Sequence, residues 1–528
     1  MGCHTPMLAA SVSTLGGLVF GYELGIISGA LLQLKTQFHL GCVQQETVVS
    51  ALLMGAFCAS LIGGWLIDRR GRRNSILLSC VLVIAGTSLM STGGFFAILV
   101  TGRAITGFAI CISSMSCCIF VSELVAPKRR GLMVTLYEVG ITVGILTAFS
   151  FNYILTDVPE GWRYMFGFAM VPTMLQLIAI WFLRSKGASA GRLSRESQRG
   201  LVEEADTEVP VEDHQEERQA YSTWSLFQSK DNMRTRTCIG LGLVLFQQFT
   251  GQPNVLLYAS TVFRTLGFQS TDSAVLASLG LGIVKVLTTL ASTICADRVG
   301  RRPLLIGGSV MMAVGLLVIG VLSGSSVLDA RRPCSSPANG TLNTYGNASL
   351  IRSLHASGTP PLSADPRPLS QLHASPVSTE APGETDQEAV NWVILISMMA
   401  VVSAFSVGFG PMTWLVLSEI FPAGVRGRAF AFINCFNWAA HLIVTFSFLN
   451  VIDVIGMSGI FLIYGAIAVA STVFIYFMLP ETKGKSLQQI DRELSEKRFH
   501  DRSDCFRRIA RVSSPGYQRV CSVSNGSV

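Results

Sequence analysis

A polar stretch inside an apolar run determines how this chain is organised: Leu245-Phe-Gln-Gln-Phe-Thr-Gly-Gln-Pro-Asn-Val-Leu-Leu-Tyr258. The run around it, residues 237–266, is long enough to cross the ~30 Å hydrocarbon core of a bilayer. Gly251 and Pro253 break the helical hydrogen-bond ladder near its middle, which a membrane tolerates only where protein or water satisfies the freed backbone groups. The stretch therefore predicts an interrupted transmembrane helix.

The same stretch carries amide side chains on one face. At about 100° per residue, Gln247 and Asn254 project in one direction, with Gln248 beside Gln247. Each amide offers both donors and an acceptor, so this face suits a neutral, polyhydroxylated ligand, and interrupted helices are where transport sites are commonly built. The alternative is that the amides only hold neighbouring helices together.

Composition indicates a membrane protein. Half of the 528 residues are hydrophobic and 14% are charged, too few charges for the surface of a soluble chain of this length. The net charge of +7 does not indicate a nucleic-acid partner, because the basic residues stand in short clusters between apolar runs. We predict an all-α protein in the lipid bilayer with twelve transmembrane helices, at roughly 8–34, 46–67, 74–93, 95–122, 131–155, 162–184, 235–266, 272–296, 303–324, 390–417, 425–452 and 456–479.

The spans divide into two halves of six helices. The N-terminal half is residues 1–184 and the C-terminal half is 235–479, with a charged linker at 185–234 and a polar tail at 480–528. Basic clusters follow spans 2, 4, 8 and 10, so the positive-inside rule places the linker, the tail and both termini in the cytosol.

One long loop, residues 325–390, falls on the non-cytosolic side. It is rich in Ser and Pro and poor in apolar residues, which predicts that most of it is disordered. Asn339 and Asn347 within it match the N-glycosylation pattern and are predicted acceptors.

Two loop motifs occur once in each half. Asp68-Arg-Arg-Gly-Arg-Arg73 recurs as Asp297-Arg-Val-Gly-Arg-Arg302, and the Ser-Glu pair at 122–123 recurs at 418–419. Such repeats are expected of a transporter built from two related halves. The carboxylates and arginines around these loops are predicted to form a cytosolic latch between two conformations: Asp68, Arg72, Glu123, Arg130, Asp297, Arg301, Glu419 and Arg426. The alternative is that the basic residues only set the topology.

Several strings make the chain similar to the sugar-transporter branch of the major facilitator superfamily. Besides the two Asp-Arg-x-Gly-Arg-Arg loops, they are Phe20-Gly-Tyr22, Gly102-Arg103, Gln247-Gln248, Gly410-Pro-Met-Thr-Trp414, Asn437-Trp438 and Pro480-Glu-Thr-Lys-Gly484. The insertion between spans 9 and 10, with Gln252-Pro253-Asn254, resembles the third class of facilitative glucose transporters. The resemblance implies a twelve-helix major facilitator fold with a central sugar site that works by alternating access.

The resemblance also implies which residues contact the sugar. Asn254 stands one residue after the position of the family asparagine, which is Pro253 here, and Glu138 and Lys285 replace family amides in spans 5 and 8. Opposite charges at facing positions predict an ion pair across the cavity, and the alternative is that each faces water separately. The family contacts that match outright are Gln247, Gln248, Trp414, Asn437 and Trp438.

A further pair of charges lies within the predicted spans. Glu23 in span 1 aligns with the aspartate that proton-coupled sugar symporters place before the arginine of span 4, here Arg103. Burial favours the protonated carboxyl whereas a nearby arginine favours the ionised one, so the pair could act as a proton switch. The alternative is a permanent salt bridge that fixes helix packing.

These features predict facilitative transmembrane transport of hexoses, D-glucose and related sugars, with dehydroascorbate as a further candidate cargo. Proton-coupled symport is one alternative, and a sugar receptor that binds without transport is another. Nothing in the sequence pairs a nucleophile with a base or shows metal-ligand spacing, so we predict no enzymatic activity, no metal and no cofactor. The predicted location is the plasma membrane or an endomembrane such as the perinuclear membrane.

Overall fold

The protein, seen here as a computed structural model, is built from α-helices, and none of the residues that the structure describes forms a β-strand. Those residues are 4–124, 130–182, 226–228, 232–266, 268, 270–324, 384–485 and 487–496. Within these ranges, ten helices are long and apolar enough to cross a membrane. The predicted all-α membrane protein is therefore confirmed. Most of the linker, most of the 325–390 loop with Asn339 and Asn347, and the tail after residue 496 lie outside the described residues.

The N-terminal half follows the predicted spans closely. Its sixth span is two helices in succession, and Gly161–Phe182 as a whole is long and apolar enough to cross a membrane. The helices are α1 (His4–Phe38), α2 (Cys42–Arg70), α3 (Arg72–Thr92), α4 (Phe96–Leu124), α5 (Arg130–Ile154), α6 (Gly161–Gly167) and α7 (170–182).

The C-terminal half is more interrupted. The predicted seventh span consists of three short helices, and the tenth of two, so the chain bends inside both. The helices are α8 (Met233–Phe249), α9 (Gln252–Leu257), α10 (Ala259–Thr265), α11 (Thr271–Val299), α12 (Arg301–Gly324), α13 (Glu384–Val407), α14 (Phe409–Ile420), α15 (Ala423–Phe446), α16 (Phe448–Met478) and α17 (Leu487–Glu496).

The predicted boundary between spans 11 and 12 is wrong. We placed it between residues 452 and 456, whereas α15 ends at Phe446 and α16 begins at Phe448. Gly456 has non-helical backbone angles (φ 76°, ψ 171°), so the expected break appears as a kink inside α16. Because the run is apolar on both sides of the true boundary, hydropathy alone cannot locate it.

Close packing within the N-terminal half depends on glycines where α1 crosses α5. A Cβ atom added to Gly21 would overlap the carbonyl of Ile141, and one added to Gly144 would overlap the carbonyl of Leu18. Small residues let two helix backbones approach closely, which is how membrane helices gain packing energy without a hydrophobic driving force. The crossing of α1 and α5 therefore leaves no room for a larger side chain at either glycine.

The helices of the two halves contact each other where α5 meets α11, where α2 meets α15 and α16, and where α1 meets α9 and α10. We call the end of the bundle that holds the turn between α1 and α2, residues 39–41, the far end. The end that holds the turn at Gly71 and the helix α17 is the near end. Several of the predicted site residues lie on the helices that make these contacts, among them Glu138 on α5 and Lys285 on α11.

One near-end element was not predicted: the tail begins with a helix, α17, packed under the C-terminal half. Ile490 and Leu494 on one face are buried. The buried guanidinium of Arg236 donates to the Ile420 carbonyl (2.8 Å) and forms an ion pair with Asp491 (2.6 Å). The tail is therefore anchored to α8 and α14 rather than being a purely polar extension.

Candidate functional site

The site is built around the break that separates α8 from α9. Gly251 takes a left-handed conformation (φ 73°), and Pro253 lies in the first turn of α9, where its missing N–H costs nothing. A Cβ atom at Gly251 would overlap the ring of Tyr464, so both the conformation and the space require glycine. The break predicted from the sequence is present, and it ends α8 just after the two glutamines.

Gln247 and Gln248 are both buried between the end of α8 and its neighbours. Gln247 Nε2 donates to the Phe409 carbonyl (3.1 Å), and Gln248 Nε2 donates to Asn437 Oδ1 (2.7 Å). The side-chain oxygens Oε1 of both glutamines are buried, and no residue that the structure describes forms a hydrogen bond with them. A buried acceptor left unpaired costs about 1–3 kcal/mol, which distinguishes these two oxygens from the satisfied amide of Asn254.

Asn254, which was expected on the same face, forms its hydrogen bonds with other residues of the protein. Its Nδ2 donates to the Val444 carbonyl (3.0 Å) and to Tyr464 Oη (3.3 Å), and its Oδ1 accepts from Thr445 Oγ1 (2.7 Å). The residue is fully buried. In this conformation Asn254 joins α9 to α15 and α16, the alternative considered for the amides as a group.

The two tryptophans predicted to contact the sugar differ in burial. Trp438 is almost fully buried, stacks on His441 (centroids 5.9 Å apart) and approaches Phe20 of the opposite half (6.1 Å). Trp414 is half-buried and lies 5.3 Å from Phe430. Trp438 thus joins the halves next to Asn437, while Trp414 keeps part of its surface open.

Glu138 and Lys285 face each other across the contact between α5 and α11 and interact electrostatically. The direct ion pair expected between them is not formed in this conformation, since no N–O distance of 4 Å or less joins them. Lys285 Nζ instead lies 3.5 Å from Ser406 Oγ and 5.5 Å from the centre of the Phe405 ring, whose face attracts a cation. Glu138 is half-buried without a direct partner.

Glu23 and Arg103 are brought together inside the N-terminal half. Arg103 Nη1 lies 3.2 Å from Glu23 Oε2 and donates to the Glu23 carbonyl (3.1 Å), and both side chains have no exposed surface. The pair is incompletely satisfied, because Glu23 Oε1 and Arg103 Nε and Nη2 have no hydrogen-bond partner among the described residues. The ring of Phe166 lies 5.9 Å from the guanidinium.

At the near end, three of the residues predicted to form the cytosolic latch make contacts within the C-terminal half. Arg301 Nη2 lies 3.2 Å from Glu419 Oε1 within the C-terminal half, and Arg426 donates twice to the Phe421 carbonyl (3.2 Å each). Arg72 opens α3. The side chains of the remaining predicted members lie outside the described part of the structure: Asp68, Glu123, Arg130 and Asp297.

Sequence reasoning missed two near-end carboxylates. Glu481, at the start of the tail, accepts hydrogen bonds from the backbone N–H groups of Arg301 (3.2 Å) and Arg302 (3.1 Å), so it caps α12. The string Pro480-Glu-Thr-Lys-Gly484 was noted only as a resemblance. The other is Asp491 on α17, whose helix could have been found from the spacing of Ile490 and Leu494.

Comparison with known proteins gives a consistent result. The family model described as "Sugar (and other) transporter" matches residues 9–335 and 375–494. A Danio rerio protein named "Solute carrier family 2, facilitated glucose transporter member 10" is 57% identical, over 98% of this chain and 99% of that protein. Its Homo sapiens namesake is 47% identical, over 94% and 96%. The sequence strings resemble the third class of facilitative glucose transporters, and these relatives are facilitated glucose transporters named member 10.

Solved structures agree on the fold. The inward-open xylose transporter XylE from E. coli is 24% identical with a TM-score of 0.65, covering 92% of this chain and 99% of that one. The proton:xylose symporter XylE bound to 6-bromo-6-deoxy-D-glucose is 25% identical with a TM-score of 0.64, covering 94% and 100%. This chain belongs to the Sugar (and other) transporter family of the major facilitator superfamily, and it is a multi-pass membrane protein that carries sugar across the membrane, not an enzyme.

Proposed function

We propose that this protein is a facilitative hexose carrier whose sugar site is centred on Gln247 and Gln248. The observation that carries this proposal is the pair of buried, unpartnered amide oxygens at the end of α8. A sugar presents several hydroxyl donors, and two acceptors on adjacent residues fit vicinal hydroxyls of a pyranose ring. D-Glucose and related hexoses are the proposed cargo, with dehydroascorbate, an uncharged sugar-like ring, as a further candidate.

The other side chains have complementary parts in this site. Asn437 holds Gln248 in place through its 2.7 Å hydrogen bond, and Trp414 and Trp438 offer apolar faces to the sugar ring. Glu138 and Lys285 approach from the contact between the halves, where a carboxylate accepts and an ammonium donates hydrogen bonds to hydroxyls.

Transport requires the site to open to one side at a time. We propose that the two six-helix halves rock against each other along the contacts of α5 with α11 and α2 with α15. With the basic loops in the cytosol, the near end is cytosolic and the far end faces the other side. The Arg301–Glu419 ion pair then helps to shape the cytosolic ends of the C-terminal helices.

Proton-coupled symport is the second candidate, and Glu23 favours it. Its Oε1 atom is buried without a partner while Oε2 bonds Arg103, so one oxygen is free to carry a proton when the pair separates. A permanent salt bridge does not need Oε1 to be unpaired. It can nevertheless exist with that atom unpaired, at a cost of about 1–3 kcal/mol. Facilitative transport remains the first proposal because no step of sugar binding requires the pair to titrate.

The test is uptake of labelled D-glucose by the purified full-length protein in liposomes, with and without an inward proton gradient. Facilitative transport predicts entry down the sugar gradient to equilibrium and no accumulation beyond it in either case. Accumulation that needs the proton gradient would establish symport, and saturable binding without entry would establish a receptor. Competition by other hexoses and by dehydroascorbate in the same assay ranks the cargo.

A further inference from the structure

A buried carboxylate at the far end is used neither by the sugar site nor by the Glu23–Arg103 pair. Glu46 lies in the second turn of α2 and has no exposed surface. No lysine or arginine in the described part of the chain forms an ion pair with it. A buried carboxylate is costly unless hydrogen bonds compensate its charge, so its partners define its role.

All the hydrogen bonds that Glu46 accepts come from the other half of the protein. Its Oε1 accepts from the backbone N–H groups of Leu449 (2.7 Å) and Asn450 (3.0 Å), and its Oε2 accepts from the Asn450 side chain. Leu449 and Asn450 form the first turn of α16, where backbone N–H groups have no partner within the helix. The carboxylate also lies at the positive end of the helix dipole.

α16 has no cap of its own. Ser447, the residue that precedes the helix, makes no capping hydrogen bond with its side chain, and its hydroxyl donates instead to the Ile443 carbonyl (2.9 Å). Glu46, 403 residues away in the sequence, therefore supplies the cap that most helices receive from a neighbouring Ser, Thr or Asp. The cap exists only while the two halves are in contact at the far end.

The start of a second helix, α10, is also capped by a side chain of the N-terminal half. The backbone N–H of Ser260, in the first turn of α10, donates to Ser28 Oγ of α1 (3.0 Å). The ring of Phe448, at the start of α16, stacks on Tyr258 (5.0 Å), whose hydroxyl donates to the Thr445 carbonyl (3.3 Å). The starts of α10 and α16 are thus packed together and are both capped by side chains of the N-terminal half.

From these contacts we propose that Glu46 is a positioning residue for the transport cycle: it holds the far side closed by capping α16 across the two halves. When the halves separate at the far end, the hydrogen bonds between the carboxylate and the two backbone N–H groups break, and all three groups must be hydrated. Glu46 thus stabilises the far-closed state relative to the far-open state. The proposal rests on alternating access as proposed above and assigns one side of that cycle to a specific contact.

The competing account is that Glu46 only fixes α2 against α16 in every conformation. In that case its removal would loosen the far end locally, or destabilise the whole fold, without changing which side of the carrier is open. A latch predicts a reciprocal effect, because opening the far side is coupled to closing the near side. The experiment must therefore read both ends of the molecule.

We would measure amide hydrogen exchange by mass spectrometry on the full-length protein in lipid nanodiscs, for the wild type, Glu46→Ala and Glu46→Gln. The matched control is Gln45→Ala, because Gln45 is also buried in α2 but donates to the Leu40 carbonyl (2.9 Å) within its own half. Glu46→Gln keeps an acceptor oxygen and the side-chain shape while it removes the charge, so it serves if Glu46→Ala folds poorly.

For Glu46→Ala we expect exchange to become about ten-fold faster at residues 447–453 and also at 258–262, since the loss of charge-assisted hydrogen bonds favours the open far end. Exchange at near-end helix starts, such as 423–428, should become slower as that side closes. Glu46→Gln should give the same pattern with a smaller amplitude, and Gln45→Ala should leave exchange at 258–262, 423–428 and 447–453 unchanged.

Faster exchange confined to 447–453 would overturn the latch and leave a local helix cap. A uniform rise over the whole chain in both Glu46 variants would also overturn it, as the sign of a purely structural residue. These outcomes do not depend on sugar flux, so failure of the latch is distinguishable from failure of the proposed transport function, which wild-type flux in liposomes tests.

Discussion

Replacing Gln247 with alanine tests the sugar site directly. The variant loses one hydrogen bond to the protein, from Nε2 to the Phe409 carbonyl, and one free acceptor, Oε1. A sugar hydroxyl that enters the site without its acceptor loses about 1–3 kcal/mol. At about 1.4 kcal/mol per factor of ten, the half-saturation concentration for D-glucose uptake should rise roughly five- to hundred-fold.

The assay is initial-rate uptake by purified protein in liposomes, over a range of D-glucose concentrations, with the amount of folded protein measured in the same vesicles. The variant loses the hydrogen bond to the Phe409 carbonyl, which should lower the free energy of unfolding by about 0.5–1.5 kcal/mol, so thermal unfolding is followed in parallel. An unchanged half-saturation concentration in folded Gln247→Ala protein would refute the placement of the sugar on this residue.

Three further variants give distinct signatures. Asn254→Ala removes hydrogen bonds to three groups of the protein, so it should lower the thermal unfolding temperature by several degrees. The half-saturation concentration of the folded fraction should stay unchanged. A loss of affinity at unaltered stability would show that Asn254 belongs to the sugar site. Glu23→Gln should leave downhill uptake measurable and abolish any uphill uptake that the wild type shows under a proton gradient; uphill uptake in Glu23→Gln would exclude Glu23 as the proton carrier. Glu138→Gln and Lys285→Asn should be non-additive by about 0.5–1 kcal/mol in a double-mutant cycle on transport, as charges that interact without direct contact, and strict additivity would show that they act independently.

Much of the fold could be predicted because the membrane imposes simple rules on the sequence. Apolar runs of spanning length gave the helices, and Gly251 with Pro253 gave the break after α8. The boundary near Ser447 could not be found in this way, because residues 440–455 are mostly apolar and carry no strong helix stop. The break between α15 and α16 is visible only in the structure.

The partners of the polar residues were the least predictable part of the site. A helical wheel placed Gln247 and Asn254 on one face, but the chain bends between them at Gly251, so the two side chains have different environments. The partners of Asn254 and of Glu46 lie about 190 and 400 residues away in the sequence. Such contacts depend on how the helices pack, which the periodicity of a single helix does not determine.

The most direct test of the account is counterflow. Liposomes that contain the purified protein are loaded with unlabelled D-glucose at high concentration and diluted into a trace of labelled D-glucose, with no proton gradient. A carrier that exposes one site alternately to each side should draw labelled sugar in transiently above its external concentration, before the label returns to equilibrium. Labelled sugar that only equilibrates, as through a pore, or that never enters, would contradict an alternating-access hexose carrier.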